Sequence, residues 1–116
     1  MQEEAQHNLT DNLTQELKRG TLVLTVLLTS DRPQYGYSLV EELANRGVAV
    51  EQNTLYPLLR RLESQGLLES TWDTSSSRPR KYYVISEAGR TTRRSLLGEW
   101  RALNKALESI AKEQDQ

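Results

Sequence analysis

The feature that most constrains this chain is a narrow apolar seam near its C-terminal end. Leu96, Trp100, Leu103, Leu107 and Ile110 recur at intervals of four, three, four and three residues, with Leu97 beside them. That spacing keeps side chains on one thin line of a helix. The helix can start at Ser86, whose hydroxyl suits a cap, and run to about Lys112. At about 1.5 Å per residue it is ~40 Å long, more than a small domain's core can cover. A strict two-position seam is also narrower than the face a helix lays on a broad core. Pairing with a second chain therefore accounts for it better than packing on its own domain. An apolar fraction of 36%, below that of most soluble domains, fits a chain whose apolar surface is partly buried between subunits.

The remaining elements follow from periodicity. Leu13, Leu17, Gly20, Leu24 and Leu27 predict a helix from about Asn12 to Thr29, capped by Asp11 or Asn12. Its second half, Leu22 to Leu28, is apolar nearly all round and should be buried on most sides. A second helix over Tyr37–Asn45 has Leu39, Val40, Leu43 and Ala44 as its inner face. Val48-Ala49-Val50 can form a short extended segment. A third helix over Asn53–Gln65 buries Leu55, Leu58, Leu59 and Leu62, with Pro57 in its first turn and Gly66 as its stop. Strand candidates Leu67–Trp72 and Lys81–Ser86 flank a polar, turn-rich loop, Asp73 to Arg80. Three helices and then a ribbon with a basic tip is the order of a winged helix-turn-helix. The expected fold is mainly α with a small β-wing. A single domain spans 1–116, with a DNA-binding region over 12–86 and a dimerisation helix over 87–116.

Composition removes several chemistries. There is no cysteine, and the one histidine, His7, lies in a polar N-terminal stretch where it is a solvated residue and no metal site. No nucleophile motif or glycine-rich phosphate loop occurs, so neither enzyme nor cofactor is expected. The first 17 residues hold four acids and no Lys or Arg, opposite to a secretory signal. The run Leu22–Leu28 is far shorter than the roughly 20 residues of a membrane span. A cytoplasmic protein without membrane contact is expected.

Net charge is −1 and the pI near 5.9, which argues against nucleic acid until the distribution is considered. Gln52 to Lys81 carries five bases (Arg60, Arg61, Arg78, Arg80, Lys81) against three acids. The second helix of a helix-turn-helix offers its first residues to base edges in the major groove. Here those are Gln52, Asn53, Thr54 and Tyr56, with Arg60 and Arg61 further on. Their amides, hydroxyls and guanidinium groups suit bases or phosphates, although Asn53 or Thr54 could equally serve as a helix cap. Arg78, Arg80 and Lys81 flank Pro79 and hold cations at the end of a lever, suited to phosphates or a narrow minor groove. The rival is a winged helix used only for protein contacts, which the low pI favours.

Three runs carry a resemblance. Tyr35-Gly36-Tyr37-Ser38-Leu39, Asn53 through Glu63, and Arg78-Pro79-Arg80-Lys81-Tyr82-Tyr83-Val84-Ile85-Ser86-Glu87-Ala88-Gly89 closely resemble the PadR family, over about residues 20 to 90. The wing departs from it in having Ser75-Ser76-Ser77 where the family often has glycine. The resemblance implies a homodimeric repressor whose ligand or effector relieves DNA binding; such a dimer should read the two half-sites of a palindromic double-stranded operator, and Tyr37 and Ser38 join the DNA-binding set. A single end helix looks like the shorter PadR subgroup, some of whose members bind flat aromatic compounds between paired tryptophans. Trp100 lies where such a tryptophan would lie, with Thr14, Leu17 and Thr21 as walls by position. The dimer would then bring the seam against its mate or against Leu9, Leu13 and Leu17 of the partner's first helix.

Overall fold

The computed structural model describes residues 1–114. Asp115 and Gln116, the end of the expected 87–116 segment, lie outside the described residues. In chain order the elements are α1 (Gln2–Arg19), α2 (Leu22–Thr29), β1 (Gln34–Tyr35), α3 (Gly36–Asn45), α4 (Gln52–Ser64), β2 (Leu68–Asp73), β3 (Arg80–Ile85) and α5 (Glu87–Gln114). The fold is a winged helix: mostly helical, with a small antiparallel sheet in the order β1-β3-β2.

The core lies where α2, α3, α4 and the sheet meet. Leu39 and Leu43 of α3, with Leu55, Leu58, Leu59 and Leu62 of α4, are buried together with Val26 and Leu27 of α2. Each buried leucine stabilises by ~1.5–3 kcal/mol relative to exposure. The register of β2 on β3 pairs Leu68 with Ile85, Ser70 with Tyr83 and Trp72 with Lys81. Directly paired residues share a face, so Leu68, Tyr83 and Ile85 cover the helices while Glu69, Thr71 and Asp73 turn away. The first half of α5 rests on α2: Leu96 packs against the core, and Arg93 Nη1 lies 2.6 Å from Asp31 Oδ1.

Several expectations need correction. The N-terminal helix does not begin at Asn12; α1 runs from Gln2, so Asp11 and Asn12 are interior residues and no caps. None of its residues is buried: Leu9, Leu13 and Leu17 form an exposed apolar line, so the stripe that periodicity finds does not face the chain's own core. The helix also breaks. Gly20 and Thr21 separate α1 from α2, and Thr21 closes a tight turn with both its N–H and its hydroxyl on the Lys18 carbonyl. Val48-Ala49-Val50 joins no sheet, though Val48 and Val50 pack on the core; the third strand, which periodicity did not predict, is β1, pairing Gln34 with Tyr83 and Tyr35 with Tyr82. Ala44 is exposed rather than inward-facing. Finally, Pro57 lies inside α4. Its missing N–H leaves the Asn53 carbonyl without a ladder partner, tolerable because that end of the helix faces solvent.

Candidate nucleic-acid interface

The start of α4 is free to make contacts outward. Its N-cap is Glu51, in extended conformation, with no side-chain capping bond. Asn53 and Thr54 are thus not spent on capping, and both, with Gln52, are exposed. The helix is held from behind by leucines at its buried positions, so Arg60 and Arg61 also face outward. Tyr56 is half-buried against Gly36 at the start of α3. A Cβ on Gly36 would overlap the Tyr56 ring. The glycine of the Tyr35-Gly36-Tyr37 run is therefore what lets α3 and α4 close on each other.

The two residues that follow Gly36 divide in role. Tyr37 is 49% exposed, and the negative charge of nearby Glu41 pushes its phenol pKa above the ordinary tyrosine value. Ser38 is turned inward: its hydroxyl has Gln34 Oε1 at 2.9 Å and the Tyr35 carbonyl at 2.8 Å as acceptors. Gln34 in turn donates to the Glu42 carboxylate. Ser38 thus ties α3 to β1.

At the wing the three expected cations part company. Thr74 to Pro79 form the tip, shaped by Asp73 Oδ1 accepting from the Ser75 N–H at 2.9 Å and by the Ser76 hydroxyl donating to the Arg78 carbonyl at 2.9 Å. The Asp73 carboxylate and the Ser76 hydroxyl thus build the turn by side-chain bonding where glycine would build it by backbone freedom. Arg78 is exposed at the tip. The Arg80 guanidinium lies 4.9 Å over the Tyr35 ring, which itself meets Tyr82 edge-on at 5.6 Å. Lys81 is folded back: its ammonium sits 2.8 Å from Glu63 Oε1 on α4 and 5.3 Å from the Tyr83 ring centre. The Ser70 hydroxyl donates to the other Glu63 oxygen.

An open cleft of about 230 Å³ forms where α3, α4 and the wing root meet, lined by Tyr37, Tyr56, Arg60, Arg80 and Lys81 among others. No acidic residue is among those lining it. Tyr35 and Glu63 are the site residues that sequence reasoning missed. Tyr35 is visible in the sequence only as part of a motif, and the partners of Glu63 lie 7 and 18 residues away on other elements.

The end helices stand apart from this interface. Leu96 and Leu97 are half-buried on their own chain, but Trp100, Leu103, Leu107 and Ile110 are 42 to 60% exposed. On α1, Leu9, Leu13 and Leu17 are 56, 55 and 75% exposed. The hydroxyls of Thr14 and Thr21 are engaged by the carbonyls of Thr10 and Lys18. In the single chain Leu17 and Trp100 both stand in the open.

The model of the transcriptional regulator PadR-like family matches residues 23–95, well over half of the chain. The chain belongs to this family. A PadR family transcriptional regulator from Eggerthella lenta is 45% identical, with a TM-score of 0.89 over 92% of this chain and 96% of that one. A PadR-like transcriptional regulator from Bacillus cereus has a TM-score of 0.72 at 28% identity, over 82% of this chain and 95% of that one. A transcriptional regulator of Mycobacterium tuberculosis is 37% identical over 99 residues, 84% of this chain and 86% of its own length. The chain is accordingly a PadR-like regulator of transcription that works by DNA binding, and not an enzyme. The family match spans the winged helix and the root of α5; α1 and the outer part of α5, with their exposed apolar lines, lie beyond it.

Proposed function

We propose that this PadR-like chain acts in the cytoplasm as a homodimeric repressor, binding a palindromic operator and leaving it when a small planar aromatic effector binds. The observation that carries the DNA reading is that Tyr56 and Arg60 of α4 and the wing-root cations Arg80 and Lys81 line one open cleft. Gln52, Asn53, Thr54 and Tyr56 are the base-reading candidates, and Arg60, Arg61, Arg78 and Arg80 the phosphate contacts. The net charge of −1 is no obstacle, because the cations are gathered where the duplex would lie.

Dimerisation rests on the two exposed apolar lines, one on α1 and one on α5. A two-fold axis through them would set two α4 helices for half-sites ~34 Å apart, one turn of the duplex. At that axis Trp100 meets its mate. An indole is too large for tight closure at a seam position that leucine or isoleucine fills well. The gap between two flat apolar faces suits a planar aromatic compound, with Thr14, Leu17 and Thr21 as side walls.

Fluorescence anisotropy with duplexes enriched from a random pool tests the DNA reading. Arg78→Ala and Arg80→Ala should weaken binding to every sequence and flatten log K against log salt by roughly 0.9 for each phosphate no longer neutralised. Asn53→Ala and Thr54→Ala should instead change which bases are preferred, by about 1–3 kcal/mol of discrimination. Absence of salt-dependent DNA binding by the unmodified protein would leave the wing as a protein-contact module.

A further inference from the structure

Glu63 is an acid set beside the cations of the cleft. It sits near the C-terminal end of α4 and reaches both long strands of the wing, taking a hydrogen bond from Ser70 on β2 and from Lys81 on β3. Both members of the ion pair are largely sheltered, the Lys81 and Glu63 side chains being 28% and 32% exposed. The ammonium beside it holds the Glu63 carboxyl below its ordinary range, and Glu63 holds Lys81 above its own, as mutual attraction in an ion pair requires. Lys81 is also a wall of the cleft, beside Arg60 and Arg80. Among the described residues, neither of those arginines is in an ion pair. Of three cations at one cleft, Glu63 neutralises one.

We propose that Glu63 is a specificity-determining residue: by capturing Lys81 it withholds one cation from the cleft where α4 and the wing meet the DNA backbone. The inference rests on the DNA-binding reading above. Phosphate contacts strengthen binding to every sequence alike, so a cation removed from the interface lowers non-specific binding without touching base readout. Lysine suits this control because its long flexible stem could swing a freed ammonium toward a phosphate. Ser70 helps by holding the carboxylate in place from the other strand.

The test is the salt dependence of binding to a random-sequence duplex, with folding checked by circular dichroism. Glu63→Gln keeps the side-chain shape and an acceptor for Ser70 but loses the charge. It should steepen the slope of log K against log salt by roughly 0.9 and raise non-specific affinity several-fold at low salt. Lys81→Met should leave the unmodified slope unchanged, and Lys81→Met added to Glu63→Gln should restore it. A merely structural Glu63 would lower stability without steepening the slope. An unchanged or shallower slope in a folded Glu63→Gln protein overturns the inference, as does a flattened slope in Lys81→Met, since Lys81 would then already touch DNA. Should Glu63→Gln fail to fold, Lys81→Met alone decides. If the unmodified protein shows no salt-dependent DNA binding, the underlying DNA reading fails instead, and the role of Glu63 falls with it.

Discussion

Gly36 shows how much of the interface depends on one missing side chain. Its hydrogen faces the ring of Tyr56, and a methyl group there would overlap the aromatic carbons. Relief requires Tyr56 to move, yet Tyr56 lies on α4 and lines the cleft. Gly36→Ala should therefore cost about 1–3 kcal/mol by overpacking, with a drop of several degrees in melting temperature and weaker DNA binding. A companion Tyr56→Ala change, which empties the space, should recover part of the stability lost to Gly36→Ala. A Gly36→Ala protein as stable as the parent would mean the ring shifts freely. Among single residues, the polar start of α4 is legible from spacing alone, because local helical geometry decides which positions face outward. Gly36 and Glu63 are not, since their partners sit on other elements.

The elements show a matching division. α3, α4, β2, β3 and α5 fall within a residue or two of where periodicity and turn chemistry put them, because each buries a face whose pattern is written locally. α1 lacks such a face, so nothing in its first ten residues distinguishes a helix from a polar tail. The start of α5 illustrates a cap that does two tasks. Ser86 Oγ accepts from the Gly89 N–H at 2.9 Å and donates to the Gly66 carbonyl at 2.6 Å, in a side chain nearly closed to solvent. It therefore caps α5 and ties it to the turn after α4. Ser86→Ala should destabilise by about 1–2 kcal/mol, the upper range of a lost cap, because the Gly66 carbonyl loses its partner as well. Urea denaturation should show a lower midpoint at unchanged slope, and Ser86→Thr should retain most of the stability. A loss of only a few tenths would show that water replaces the hydroxyl.

At the scale of the molecule, the single chain is too extended for its length. Its radius of gyration is 17.5 Å, against ~13 Å for a compact domain of this size, and its longest extent is 59 Å. α1 and the outer half of α5 account for this, since nearly all their residues are exposed. Covering their apolar lines with a second copy would repair the shape and the exposure together. Leu103→Glu with Leu107→Glu would bury uncompensated charge in that seam, costing several kcal/mol, so sedimentation should show monomer or unfolded chain. With Trp72→Phe as background, planar cationic dyes should quench Trp100 saturably in the dimer and not in that variant. A stable dimer of the double variant would remove this arrangement. The sequence by itself determined the winged-helix order, the outward polar start of α4 and the unpaired seam of α5, because each follows from periodicity within one element. Only the tertiary structure decided that Leu96 belongs to the chain's own core and that β1 joins the sheet. It also decided that Lys81 is held by Glu63 while Arg80 stays at the cleft, because packing brings together charges and rings that lie many residues apart, and no local pattern encodes such meetings.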